Sequence, residues 1–325
     1  MKSLLSILLT SACLALALGS AQAQDKYPSR PIKVLVPYAP GGATDIVARV
    51  LGDRLREQMG ATIVVENKPG ANGILALESM ARATPDGYTL MIGNVTTNAI
   101  TPILYRDKMH INYEKDVVTV MRLVDVPEFL AVTTTDFAPT TVPEFVDYAR
   151  AANPPLAYAS GGVGSQQHFA MEVLKRRAGI NLLHVPYRGG APSATATIGG
   201  ETQALFAGAS SAGQFEAGNL RPLAASGKAR SKRFPDIPTI GEFYPGFEVD
   251  IWLGLFAPAG TPDGVVRKIR EAVHAALRRP DLAEKLNVSG SLEPLILEPA
   301  AFDALIRKDY EKYGTLVKQF DIKLD

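Results

Sequence analysis

The sequence predicts an α/β protein of two lobes, each a mostly parallel sheet flanked by helices, and three observations carry that prediction. Short apolar runs alternate with longer stretches of 3.6-residue periodicity, the order that builds parallel sheets covered on both faces. Glycine-rich loops stand where those runs give way to helices. The 325 residues suffice for two cores, yet no repeat or low-complexity linker divides them, so the lobes should be joined by strands that cross between them.

The first residues stand apart from this pattern. Lys2, an apolar run over residues 4–18 and Ala21-Gln22-Ala23 follow the charged, apolar, small-x-small order of a secretory signal peptide. Residues 1–23 are therefore set aside as a leader, with cleavage after Ala23 and export to the periplasm. No later segment offers the ~20 uninterrupted apolar residues of a membrane span. Cys13 is the only cysteine and leaves with the leader, which excludes disulfides, thiolate metal ligands and a cysteine nucleophile. The formal charge of +1 includes Lys2, so the mature chain is close to neutral. That gives no basic field for nucleic acid and no polybasic membrane patch.

Residues 32–36 read as a buried strand, 37–42 as a loop and 44–59 as a helix. The helix rests on Ile46, Val47, Val50, Leu51, Leu55 and Met59, one apolar stripe closed by Gly60. A strand at 62–66, a loop at 67–73, a helix through Ala83, the turn Pro85-Asp86-Gly87 and a strand at 88–93 follow. Further strands are expected near 129–133, at 156–159, near His184, and at 204–207, 220–225 and 251–257. Helices are expected near 142–151, at 165–178, and over 262–277, 280–287 and 300–320. The return of a strand at 251–257 before the last helices assigns residues 24–125 and 251–325 to one lobe and 126–250 to the other, with a ligand cleft between them.

Four loops carry candidate chemistry. The loop 38–45, Tyr-Ala-Pro-Gly-Gly-Ala-Thr-Asp, joins the end of a strand to the start of a helix, where ligands bind in open parallel sheets. Free N–H groups and the positive helix end converge there, so neutral donors can hold an anion. The alternative is a tight turn with Thr44 as N-cap. The loop 160–168, Ser-Gly-Gly-Val-Gly-Ser-Gln-Gln-His, is of the same kind, but lacks GxxxxGK[ST], a third fingerprint glycine and the G-x-S-x-G elbow. Ser165 reads as a helix cap. Residues 94–98 and 184–192 are polar, compact loops that could line a pocket or be surface turns. His110, His168, His184 and His274 are scattered and build no metal site. His168 reads as a packing or capping group, and a triad assembled from distant segments stays open.

The chain resembles the tripartite tricarboxylate transporter receptors, also called Bug proteins. The resemblance rests on YPSRPIKVLVPYAPGGATDIVARVLGDRL, VVENKPGANG, TPDGYTLMIGN, LAYASGGVGSQQHFAMEVLK, HVPYRGGAPS, FPDIPTIGE and WLGLFAPAGTP, in order over most of the mature chain. It implies a type II periplasmic binding protein fold with two crossing strands, no catalysis, no cofactor and no metal. The implied ligand is a small carboxylate, held by main-chain amides, hydroxyls and ordered water and passed by a monomeric receptor to integral membrane subunits. The implied ligand contacts are Ala39, Gly41, Gly42 and Asp45, then Thr96, Thr97 and Asn98. From the other lobe they are Ser160, Gly161, Gly164, Ser165 and His168, with Gly190 and Ala191 beside them. Many relatives carry serines where this chain has Thr96-Thr97, which loosens any transfer of ligand identity. Asp45 is expected either to cap its helix or to meet an amino or hydroxyl group of the ligand. A ligand sensor for a signalling system and, further off, a secreted hydrolase are the competing readings.

Overall fold

The computed structural model describes residues 27–208, 211–249 and 251–320, and the expected leader at 1–23 lies outside them. Ile32–Val36 (β1) is buried at every position but Lys33 and leads into the helix Ala43–Met59 (α1). Val47, Ala48, Val50, Leu51 and Leu55 form the buried stripe of α1. Gly60 ends the helix in the left-handed conformation, which glycine adopts without steric cost. Ile63–Asn67 (β2), the helix Ile74–Ala81 (α2) and Thr89–Asn94 (β3) follow, and β2 and β3 flank β1 in parallel.

Single turns at Thr101–Leu104 (α3) and Tyr113–Asp116 (α4) precede Val117–Val126 (β4), the last strand before the chain changes sheets. Phe129–Thr133 (β5) opens the second sheet. Val142–Ala151 (α5), Ala157–Ser160 (β6), Gln166–Ala178 (α6) and Leu183–Pro186 (β7) continue it. Gly190–Ile198 (α7), Ala204–Ala207 (β8), Ala212–Glu216 (α8) and Leu220–Ala225 (β9) complete it. Ile251–Pro258 (β10) returns to the first sheet, ahead of Asp263–Leu277 (α9), Pro280–Gly290 (α10), Glu293–Pro294 (β11) and Pro299–Phe320 (α11). The strand orders are β11-β4-β10-β3-β1-β2 and β7-β6-β8-β5-β9.

The two-lobed α/β architecture agrees with the expectation, while the strand directions are more mixed. β10 is antiparallel to both β3 and β4, and β5 is antiparallel to β8 and β9. The cause is the crossing itself, because β4 leaves and β10 returns side by side, with Ile251 opposite Val126. The expected elements also omit β4, whose apolar run is broken by Arg122 and Asp125; on the strand these two form an ion pair. The stretch from Gly190, expected as a polar loop, is helical in α7.

Ser226 ties the crossing segments together. Its N–H donates to the Glu128 carbonyl at 2.8 Å, its carbonyl accepts from the Val249 N–H at 3.0 Å, and its Oγ donates to the Val249 carbonyl at 2.8 Å. One residue thus links the outgoing and the returning chain.

β10 is buried along its whole length. Trp252 meets the Phe302 ring edge-on at 4.8 Å and donates from Nε1 to Asp309 at 2.7 Å, which docks α11 on the sheet. Gly254 makes the room for Phe302, since a Cβ there would stand 2.4 Å from the ring. Gly254→Ala should therefore cost about 1–3 kcal/mol by overpacking, read as a lower urea midpoint. An unchanged midpoint would show that α11 shifts freely.

Candidate functional site

The loop after β1 is clamped by Asp45, in the first turn of α1. Its carboxylate accepts from the Gly41 N–H at 3.0 Å, from Asn67 Nδ2 at 2.9 Å and from Arg49 Nη2 at 2.9 Å. Burial pushes this carboxyl up, but the bonds from Arg49, Gly41 and Asn67 more than offset burial and hold it below its ordinary value. Asn67 Nδ2 also donates to the Tyr38 carbonyl at 3.1 Å. Asp45 is thus spent on the loop and on Arg49. Gly42, the N-cap of α1, has no side chain to cap the helix, so the amides of the first turn remain for a guest beside Ala43 and Thr44.

The second sheet brings two more helix starts to the same place. α7 has Gly189 as N-cap, at φ +119° and again without a side-chain cap. Ser165 caps α6 by accepting from the His168 N–H at 3.2 Å. The next amide, that of Gln166, donates to Thr96 Oγ1 at 3.1 Å across from the first sheet. Asn72 Nδ2 likewise donates to the Val163 carbonyl. The Gly161 N–H donates to Gln167 Oε1 at 2.9 Å, and a Cβ on Gly161 would stand 2.7 Å from that oxygen.

These loops line a cavity of about 70 Å³, room for several waters or a small ligand. Tyr38, Asn94 and Thr96 wall it on one side, Gly161, Gln166 and Gln167 on the other, and Val126, Glu128, Ile251 and Leu253 close it at the crossing segments. No lysine, arginine or histidine is among its lining residues.

Of the residues expected at the site, Ala39, Gly42, Thr96, Gly161, Ser165 and Gly190 line this cavity. The others are brought near it but turned elsewhere. Gly41 and Asp45 bond each other. Thr97 and Asn98 fold under the chain, Thr97 Oγ1 accepting from the Asn94 N–H at 2.9 Å and Asn98 Nδ2 donating to Tyr113 at 3.0 Å. Both pack against Gly93, where a Cβ would stand 2.0 Å from Asn98 Oδ1. Ser160 Oγ meets His184 Nε2 at 2.6 Å behind the loop. Gly164, at φ +75°, faces Leu104 of α3 and donates from its N–H to His168 Nδ1 at 3.0 Å. Ala191 sits one residue into α7, outside the lining.

His168 and His184 stack at 4.0 Å. Burial and then Lys175 push His168 down to about 4; burial, then His168 and Lys175, push His184 down to about 3, against a small opposing pull from Glu172. Both rings are neutral packing groups near pH 7. Ser165 offers its Oγ to a main-chain amide, and His168 Nδ1 is taken by Gly164, so the two form no nucleophile and base. Among the described residues no cluster could hold a metal, and no helix is long and apolar enough to cross a membrane.

Glu128, Gln166 and Gln167 are the functional candidates that sequence reasoning missed. Glu128 is 2% exposed, and its Oε1 accepts from Gln167 Nε2 at 2.9 Å. Burial pushes its carboxyl up to about 8, with the Gln167 and Gln166 amides pulling the other way. A lone charged residue beside Pro127 carries no sequence signal for this. The Gln166-Gln167 pair directly after a capping serine does, since the first turn of a helix that ends at a cleft faces the cleft.

A small cavity between two α/β lobes, walled by helix N-termini and reached across paired crossing strands, defines a solute-binding receptor of the two-lobed kind. The chain belongs to the tripartite tricarboxylate transporter family receptors, whose family model matches residues 47–322. Protein BugT of Bordetella pertussis is 30% identical over 302 residues, covering 92% of each chain. Among solved structures, Rpa4515 of R. palustris with adipate superposes with a TM-score of 0.86 at 30% identity, covering 91% of this chain and 99% of that one. MatC from Rhodopseudomonas palustris with bound malate superposes at 0.81 with 30% identity, covering 90% and 100%. This is a family of substrate-binding receptors, and the chain is a receptor rather than an enzyme, which ends the hydrolase reading.

The protonation of Glu128 makes a prediction that needs no ligand. With a folded value of about 8 against an ordinary 4.5, the folded state holds the proton more tightly. Its contribution is fully present below about pH 4.5 and is lost as pH rises toward 8. The histidines act with the opposite sign below their ordinary value of 6.5, but they are common to both proteins compared. Glu128→Gln should match the parent near pH 5 and gain on it by at least about 3 °C in melting temperature by pH 8. Parallel curves would mean that Glu128 titrates normally.

Proposed function

We propose that this chain captures a small carboxylate between its lobes, in the periplasm, and delivers it as a monomer to the integral membrane subunits of a tripartite transporter. The functional lobes are residues 24–125 with 251–325 and residues 126–250, in keeping with the separate sheets that these stretches supply. One observation carries the reading: two helix N-termini with glycine N-caps, at Gly42 and Gly189, reach one cavity that no lysine or arginine lines. Such ends attract anions through free N–H groups and the helix dipole, and they leave cations unrewarded. Ala39, Gly42, Thr96, Gly161, Ser165 and Gly190, foreseen as contacts, line that cavity together with Thr44, which supports the reading. The adipate of Rpa4515 and the malate of MatC are small carboxylates of the kind this site would take.

Capture requires the lobes to part and close, and the paired crossing strands beside Ser226 are the natural hinge. In the closed arrangement seen here, the Gln166 N–H on Thr96 and Asn72 on Val163 latch the two sides.

A ligand that binds only the folded, closed receptor stabilises it by RT ln(1 + [L]/Kd), about 2.7 kcal/mol at 100 times Kd. In a chain of this size that is a rise of roughly 5 °C in Tm. After refolding to strip any retained molecule, a thermal-shift screen should give a saturable rise with one narrow group of carboxylates. The corresponding amides and neutral sugars should be silent. Equal stabilisation by the amide and its parent acid would defeat the helix-end account.

A further inference from the structure

The lining of the cavity holds one carboxyl group, that of Glu128, and no lysine, arginine or histidine to balance it. Glu128 is 2% exposed, and its Oε2 is buried with no hydrogen-bond partner. Its Oε1 accepts from Gln167 Nε2 at 2.9 Å, a bond fixed in direction because Gln167 Oε1 is held by the Gly161 N–H. Gln166, in the same lining, leaves both its Oε1 and its Nε2 unpaired. Buried polar atoms without partners are costly, and several of them around one cavity mark a place where a guest supplies the missing bonds.

A site that holds an anion through main-chain amides conflicts with an ionised glutamate in its wall, because two like charges would share one buried space. The conflict ends if Glu128 is neutral. No charged residue faces it across the cavity: α6 presents Gln166 and Gln167, the end of β3 and the turn after it present Asn94 and Thr96, and β10 presents Ile251 and Leu253. Tyr38, the remaining ionisable group of the lining, donates to Asn94. Behind the crossing segment lie Arg122, Asp125, Lys228, Arg230 and Glu293. Arg122 pairs with Asp125, Arg230 with Glu242 and Glu293 with Lys232, while Lys228 is exposed. Burial pushes the Glu128 carboxyl up, and only the Gln167 and Gln166 amides pull the other way. Because the Gln167 amide donates to Oε1, Oε1 is the carbonyl oxygen and the proton belongs on the unpartnered Oε2. A carboxylic acid kept neutral by its surroundings is a hydrogen-bond donor.

Resting on the receptor reading above, we propose that Glu128 binds the captured acid as a proton donor: an oxygen of the bound anion accepts from the protonated Oε2, with Gln166 Nε2 as a second donor, and capture is thereby linked to a proton. The single acidic residue of the lining then serves the anion instead of repelling it. Ionised Glu128 has no proton to donate and adds like charge, so binding weakens when the proton is lost. By linkage, the bound anion makes Glu128 hold its proton more tightly than in the free protein. Affinity is level while both states are protonated, and it falls as pH rises through the free protein's value of about 8. An ammonium group at the same wall has the opposite sign, since it draws the proton off as it binds. The proton count therefore separates the two guests.

The test is calorimetry on the refolded protein with succinate, malate, adipate, benzoate and L-glutamate near pH 6.5 and near pH 9, and near pH 8.5 in two buffers of unlike ionisation enthalpy. An acid that binds should do so about 10-fold more weakly near pH 9 than near pH 6.5, as expected one unit above a value of about 8. Near pH 8.5 its binding should take up more than about half a proton, read from the difference in heat between the buffers. Glu128→Gln places an amide nitrogen that donates at every pH where Oε2 stands, and should flatten the pH profile and abolish the uptake. Circular dichroism would verify its fold, and the proton count of the parent protein stands without the variant. If an acid binds with no proton uptake or with proton release, or if Glu128→Gln keeps the parent's profile, the donor assignment is wrong and the carboxylate receptor stands. If none of the acids binds at either pH, both readings fall together.

Discussion

An anion taken out of water must be met by positive charge or by hydrogen-bond donors, and the lining of this cavity includes no cationic side chain. Main-chain amides are what remains, and they are free in number only at helix starts. On the reading proposed above, that constraint accounts for the glycine N-caps of α1 and α7: a capping side chain would consume the amides the ligand needs. It also explains Asp45. A carboxylate in the first turn of α1 would compete with the ligand for the helix end, were it not bound to Arg49, Asn67 and the Gly41 N–H.

Helix starts from one sheet line only part of the cavity. The rest of the lining comes from the second sheet, which the chain reaches through β4 and leaves through β10. These strands are adjacent and antiparallel, with Ile251 opposite Val126, so the two crossings lie side by side. Ser226 holds them together there, and Glu128, on the outgoing segment, puts its side chain in the cavity wall. The cavity wall and the crossing segments thus share a residue. Gly164 plays a complementary part, since only a residue without a Cβ lets Leu104 of α3 approach as it does.

Much of this was legible in the sequence, and the parts that were not have physical reasons. The periodicity of residues 44–59 and the apolar runs of β1, β5, β8 and β10 fixed where those elements lie to within a residue or so. β4 was hidden because Arg122 and Asp125 look like surface residues until they are seen paired on one strand. The glycine-rich loops pointed to the cavity because they sit at strand ends, a matter of topology. Which side chains of a loop face inward depends on the local turn, and Thr97 and Asn98 fold over Gly93 through bonds that no spacing rule encodes. Glu128 was invisible for the opposite reason: an isolated glutamate is normally solvated, and only the convergence of β4, β5 and α6 buries it.

A crystal structure of the protein with its bound acid tests the central claim most directly. The account predicts carboxylate oxygens within hydrogen-bond distance of main-chain N–H groups at the start of α1, at Ala43 or Thr44, and at the start of α7, at Gly190 or Ala191. Asp45 should still be closed on Arg49. A carboxylate held by a lysine or arginine, or one that touches neither helix start, would contradict it.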